Sequence, residues 1–303
     1  MRTYNSTNVR KERSENTRRI SRIPLRPAAV LAAAMTGLAL GAAGAARATV
    51  LFNSTFDESS NLGKVIEMAS TNPPKVDSGG MTWAITGDEN FTKNISPLAT
   101  GTVVTDSKAV DGGQDLAVAV PANDQPVVLQ GIPDSAIASR DNTQLSFNIR
   151  PDIASERDLS LELYTHSGST YVELGYALMY FGSKELYYSD GTGNKSVSVT
   201  WTPSDWYNFA WTFHQFGVIN AYDLKVTDTT ANTVLLNVSS VPTSDTQTGF
   251  AIIQPYTSGA DGTTTAGSYS IDAVSMNTVP EPATLGLLVI GGLGLLLAKT
   301  RRT

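Results

Sequence analysis

Two histidines, no cysteine and 28 acidic side chains set the chemistry open to this 303-residue chain. Without cysteine there are no disulfides, thiol nucleophiles or cysteine-based zinc sites. His166 opens a Gly-Ser turn and His214 closes an aromatic strand, and no further ligand stands near either at metal-site spacing. A Ser-His-Asp arrangement is assembled in space, so it stays open. No Gly-x-Ser-x-Gly elbow supports it. Glycoside hydrolysis needs two carboxylates about 5–9 Å apart across a sugar. Glu156-Arg157-Asp158 is the nearest approach, in a turn after Pro151-Asp152. Glu162 and Glu173 each stand alone on a strand, where a solvated strand face is the plain reading. The expectation is a protein that is not an enzyme.

Sugars can also be held without chemistry, by stacking on exposed rings. Trp83, Trp201, Trp206 and Trp211 are the tryptophan candidates, with Tyr187 and Tyr188. Tyr187 and Tyr188 are adjacent, so on a strand they face opposite ways. Trp206 and Trp211 are five apart and would also face opposite ways on a regular strand. The competing reading for each is an ordinary core aromatic.

The elements that must position these residues are short strands. Period-two alternation recurs, broken by Gly, Asn, Asp, Ser and Pro. The pattern predicts strands over Val50–Phe56, Met81–Ile85, Leu116–Val120, Pro126–Leu129, Gln144–Arg150, Asp158–Thr165 and Tyr171–Phe181. Further ones follow at Glu185–Ser189, Ser196–Trp201, Tyr207–His214, Tyr222–Asp228, Val234–Val238, Gly249–Gln254 and Ser268–Met276. Asp134–Ser139 could form one helical turn. Asp190-Gly-Thr-Gly-Asn194 and Asn232-Thr233 mark hairpins, and Ser258–Gly267 reads as a loop. Such strands bury one face and wet the other, so the expected fold is all-β, a single antiparallel sandwich or jelly roll over residues 49–278.

The ends differ from this body. Up to Arg47 there are nine Lys/Arg and two Glu, while Thr49–Val279 carries 10 Lys/Arg against 25 Asp/Glu, or −15. An acidic body disfavours nucleic acid, which requires clustered Lys/Arg. It suits solubility or the collection of divalent cations. Residues 1–48 run from a basic region through the small apolar stretch Ala28–Ala46 to Ala46-Arg47-Ala48. That order is a secretory signal peptide, with cleavage after Ala48 by signal peptidase. An uncleaved anchor is the competing reading, but the Ala- and Gly-rich run is weakly hydrophobic for a permanent span. Arg18-Arg19 lacks the residues of a twin-arginine signal, which favours the general secretion machinery.

Residues 279–303 read Val279-Pro280-Glu281-Pro282, an apolar run of about 16 residues, then Lys299-Thr300-Arg301-Arg302-Thr303. As a helix the run spans roughly 24 Å, slightly short of the hydrocarbon core. Snorkelling by Lys299 would close the gap, and the basic cluster would stay cytoplasmic. Pro280-Glu281-Pro282, apolar helix and terminal Arg301-Arg302 together resemble the PEP-CTERM sorting signal of Gram-negative bacteria. The resemblance implies transient residence in the inner membrane and recognition near Pro-Glu-Pro by an exosortase. It also implies an association with exopolysaccharide and delivery to the cell surface or extracellular matrix.

A second resemblance lies in the body. Ser146-Phe-Asn-Ile-Arg-Pro151, Trp206-Tyr-Asn-Phe-Ala-Trp-Thr212, Tyr222-Asp-Leu-Lys-Val226 and Tyr269-Ser-Ile-Asp-Ala-Val274 resemble strands of laminin-G or concanavalin-like jelly rolls. Related glucanases place their carboxylates as Glu-x-Asp-x-x-Glu or Glu-x-Asp-x-Glu on one strand, and no such string occurs here. In many carbohydrate-binding jelly rolls the first and last strands meet around a structural calcium. By that resemblance Asp272 matches a ligand position, with Asp57 and Glu58 as partners. Asp190–Asn194 is a second calcium candidate, though its residues are also ordinary turn formers. The leading reading is a non-catalytic surface or matrix protein. A glycan-binding module of the same fold is the alternative, and a divergent glycosidase comes third.

Overall fold

Alternation becomes architecture most plainly in Tyr207–Phe213, where Tyr207, Phe209, Trp211 and Phe213 are buried and Asn208, Ala210 and Thr212 between them are not. A pleated strand sends successive side chains to opposite faces, so such a segment is stable only against an apolar layer. The computed structural model describes residues 48–67, 75–86, 99–110, 113–120, 127–152, 158–167, 170–180, 183–189, 193–214, 220–243, 249–257 and 266–279. The basic and apolar regions up to Arg47, Ala46 included, Glu156 and Arg157, and the sorting tail from Pro280 onward with its apolar run lie outside these residues. Among the described residues no helix is long and apolar enough to cross a membrane.

Among the described residues seventeen strands, numbered along the chain, form two antiparallel sheets within the unit Ala46–Glu281. The first sheet runs β15 (Thr233–Pro242), β14 (Ala221–Asp228), β13 (Tyr207–Phe213), β8 (Thr143–Pro151), β17 (Gly267–Thr278), β6 (Gln114–Val120), β5 (Thr100–Thr105) and β2 (Val65–Glu67). Strand β1 (Val50–Ser54) pairs with the later half of β17. The second sheet runs β12 (Asn194–Ser198), β11 (Glu185–Ser189), β10 (Thr170–Tyr180), β9 (Leu159–Ser167), β16 (Ile252–Thr257), β7 (Val127–Pro133), β4 (Met81–Thr86) and β3 (Val76–Ser78). Neighbouring strands are mostly far apart in sequence, as in a jelly roll. The expected all-β sandwich is thus the observed fold.

One apolar core joins the inner faces, with contributions from Leu145, Phe147, Phe209 and Trp211 on one side and Leu161, Leu163, Met179 and Ile253 on the other. Two close approaches shape it. The Trp83 ring lies flat on Gly131 of the adjacent strand, where a Cβ would sit 2.6 Å from ring carbons. Gly79, at φ 56°, brings the β3–β4 turn against Asn53, whose amide donates to the Gly79 carbonyl at 2.9 Å.

Most expected strands are present with ends shifted by a few residues. Three short ones, β2, β3 and β5, are additional. Asp134–Ser139 makes bends and a bridge between Ile137 and Phe250 rather than a helical turn, because the segment extends beside β16.

Candidate functional site

In β9, Leu159, Leu161, Leu163 and Thr165 fill the core, so Ser160, Glu162 and Tyr164 point to the outer face of the second sheet. Register then builds a surface. Glu162 sits opposite Tyr176 of β10 and Gln254 of β16, and Tyr164 sits opposite Glu173 of β10. One strand further out, Tyr187 of β11 lies opposite Leu178 and Glu185 lies opposite Tyr180. Four tyrosines therefore share this face with three glutamates: Tyr164, Tyr176 and Tyr187 are partly exposed and Tyr180 is exposed.

Hydrogen bonds tie the strip together. Gln130 of β7 donates from Nε2 to Gln254 Oε1 at 3.2 Å, and Gln254 Nε2 donates to Glu162 Oε2 at 3.2 Å. The same oxygen accepts from Tyr164 Oη at 2.6 Å, and Oε1 accepts from Ser160 Oγ at 3.2 Å. Farther along, the Tyr187 hydroxyl and the Ser183 hydroxyl both donate to Glu185 Oε2 at 2.7 Å. The Tyr180 and Tyr187 rings meet edge to face, with centroids 6.3 Å apart.

The electrostatics follow from this crowding of acceptors. Burial, its bond to Glu162 and the nearby Glu162 and Glu173 charges push the Tyr164 hydroxyl well above the usual phenol range. Glu173 is raised by burial and by the Glu162 charge, because two neighbouring carboxylates resist joint ionisation. Glu185 is held below the usual range by its hydroxyl donors. Beside Glu173 lies a recess of about 190 Å³, lined also by Gly175, Ser189, Tyr222, Pro242 and Thr243. Its floor is Tyr222 of the first sheet, whose hydroxyl donates to the Ser189 carbonyl.

A second polar cluster, absent from the expectations above, lies on the outer face of the first sheet. The segment after β5 folds back over that face, and two clasps hold it. Asp272 Oδ2 accepts from the Val110 amide at 2.7 Å, and Arg150 pairs with Asp106. Beneath it, Arg150 also lies 3.7 Å from Asp115 and from Asp152, donates to Ser270 Oγ at 3.2 Å, and covers the Trp206 ring at 5.1 Å. The Asp115 side chain is fully buried, which lifts its pKa to about 7, and the adjoining Asp106 carboxyl adds to the shift. For Asp106 desolvation is the largest single influence and raises the carboxyl, but the bonds from Arg150, the Lys108 amide and Asp115, with the Arg150 charge, together hold it below the usual carboxylate range.

The expected site residues divide sharply. Trp83, Trp201 and Trp206 are 0%, 7% and 4% exposed, and Trp211 is 1% exposed, so none offers a ring to a sugar. The reason is packing. Trp83 bonds Ser54 Oγ at 3.0 Å under β7, Trp201 stacks edge-on to Tyr207 and bonds the Glu185 carbonyl, and Trp206 lies beneath Arg150. Tyr188 turns inward against the core, while Tyr187 faces out. Strand β12 ends at Ser198, so Trp201 is a loop residue and does not belong to a strand as expected.

Nor do the calcium candidates form one set. Glu58 spends its oxygens on Asn61 Nδ2, Ser78 Oγ and the Gly79 amide, fastening the segment after β1 to the β3–β4 turn. Asp272 bonds the Val110 and Ala273 amides. Among the described residues no group of three or more acidic or histidine side chains stands together as a metal site, Asp57, Glu58 and Asp272 included. Asp190 lies outside the described residues. His214 bonds Asp223 at 2.9 Å on the outer face of the first sheet. Glu162 and Glu173, solitary in sequence, are the pair that the fold brings together. The signal that could have found them is alternation in two strands joined by a tight turn.

A search of curated proteins finds no match. Among solved structures, the chain is similar to a conserved carbohydrate esterase of the Shiga toxin-encoding bacteriophage phi24B, at 12% identity and TM-score 0.46, covering 77% of this chain and 99% of that one. It is also similar to a beta-1,3-glucanase of Mycobacterium marinum, at 12% identity and TM-score 0.44, covering 75% and 98%. A third is lectin II of Ulex europaeus, at 10% identity and TM-score 0.41, covering 66% and 93%. Residues 278–302 match the PEP-CTERM protein-sorting motif, at the Pro-Glu-Pro and basic cluster noted above. The chain is therefore an exported exosortase substrate, anchored in the membrane before cleavage and delivered to the cell surface.

Proposed function

We propose that the sandwich works at the cell surface or in the extracellular matrix as a non-catalytic glycan-binding module. The observation that carries this reading is the outer strip of the second sheet. Tyr164, Tyr176, Tyr180 and Tyr187 lie beside Glu162, Gln130 and Gln254, whose polar groups are already oriented by one another. Aromatic faces take the apolar faces of sugar rings, and preset acceptors and amides take their hydroxyls. A purely structural matrix role leads on sequence alone, and this strip moves the binding role ahead of it.

Affinity electrophoresis through gels containing the producing cell's exopolysaccharide tests the proposal. Tyr164→Ala and Tyr187→Ala should each weaken retardation about threefold to tenfold, the worth of one aromatic contact. Trp201→Phe, inside the core, should leave it unchanged. Free migration of the unaltered protein, or full retardation of both tyrosine variants, would overturn the reading. A second reading, hydrolysis of the bound glycan, draws on Glu162 and Glu173 sharing this face with Glu173 raised. Release of reducing ends that disappears in Glu173→Gln would replace binding by catalysis.

A further inference from the structure

We infer that the glycan held on this face carries free amino groups. The inference rests on the proposed glycan-binding role and adds the chemical class of the sugar. It starts from charge. The outer face of the second sheet presents Glu162, Glu173 and Glu185 on adjoining strands, with Asp77 at the far edge and Asp158 acting on Tyr187. Among the described residues the outward side chains of the strands themselves include no lysine or arginine, and the exposed Lys75 stands just before β3, at the far edge of the sheet from the three glutamates. Lys195 of β12 pairs with Tyr188 and so shares its opposite face, and Lys184 belongs to the turn before β11.

An anionic polysaccharide would meet like charge along the whole strip, a juxtaposition that costs affinity. A protonated amine meets the reverse. Carboxylates attract it, and tyrosine faces attract cations through the ring quadrupole. The recess beside Glu173 deepens the match. It holds about 190 Å³, room for a small polar substituent and not for a chain. Glu173 has no hydrogen-bond donor among the described residues, whereas Glu162 accepts three hydrogen bonds. An ammonium group in the recess would sit against Glu173 and relieve its repulsion with Glu162. The neutral part of the strip, Gln130 and Gln254, remains for hydroxyls.

The test compares a glucosamine hexamer, at a pH where its amines are protonated, with the N-acetylated hexamer and with a polyuronate of similar length. Calorimetry on the exported protein should give the free-amine hexamer at least about tenfold tighter binding than its acetylated counterpart, weakening as salt rises. Glu173→Gln should cost the amine form about fivefold and leave the acetylated form unchanged. Asp205→Asn, which removes the same charge from the loop leading into β13 of the first sheet, should change neither. Equal affinity for both hexamers would overturn the amine selectivity while leaving glycan binding intact. So would preference for the polyuronate, or an equal loss in Asp205→Asn, which would mark unselective attraction to an acidic body. No binding to any of the three would overturn the inference and the binding role beneath it.

Discussion

Replacing Asp115 by Asn should stabilise the protein at alkaline pH and do nothing at acid pH. Asp115 lies on β6 beneath the folded-back segment after β5, its side chain fully buried and 3.7 Å from Arg150. Three carboxylates, Asp106, Asp115 and Asp152, share that one guanidinium. Burial and Asp106 lift Asp115 to about 7, from a usual value near 4. A raised carboxyl keeps its proton in the folded state while the unfolded chain releases it. Its contribution is therefore complete below about pH 4, is lost as pH rises to 7, and stays lost above. About three units at 1.36 kcal/mol each set a ceiling of about 4 kcal/mol. Asparagine keeps the shape and the donor toward Asp106 but has nothing to ionise. Urea unfolding of wild type and variant, followed by tryptophan fluorescence at pH 4, 5.5, 7 and 8.5, isolates Asp115 and the Asp106 coupled to it, because titrations elsewhere cancel in the difference. The variant should match wild type at pH 4 and lead by about 2–4 kcal/mol at pH 8.5, which is about 4–16 °C in Tm for a body of this size. A difference that does not vary with pH, or a variant weaker at pH 8.5, would refute the reasoning.

Two further outcomes follow from the packing and the tail. Gly131→Ala should lose about 1–3 kcal/mol in the same urea assay, because the new Cβ meets the Trp83 ring at 2.6 Å and neither strand can withdraw; an unchanged midpoint would mean the ring shifts freely. Intact mass of the protein from cells with and without the exosortase should differ by the segment beyond about Val279–Pro282, and an unchanged tail in both strains would sink the sorting assignment.

The processing signals were legible because they are linear. A basic cluster, an apolar run and Pro280-Glu281-Pro282 are read by other proteins as extended sequence, so order along the chain carries the information. Strand alternation was legible for a similar reason, since Gln144–Arg150 and Tyr207–Phe213 declare their two faces locally. The short strands β2 and β3 were not, because three residues are too few to show a period and are held by their neighbours alone.

Which face is buried, and what meets on it, was decided only by the tertiary structure. Four tryptophans could have stood exposed, but packing against Gly131 and Tyr207 took Trp83 and Trp201 into the core, and Arg150 covers Trp206 on the outer face of the first sheet. Glu162 and Glu173 each looked like a solvated charge until the tight connection of β9 to β10 set them on one surface. Asp115 is taken from water only because a segment folded back from β5 covers it. The sequence by itself determined the address of the protein and the period of its strands. The pairing of distant strands decided its surface chemistry, because hydrogen-bond register, a property of two segments at once, is written in neither alone.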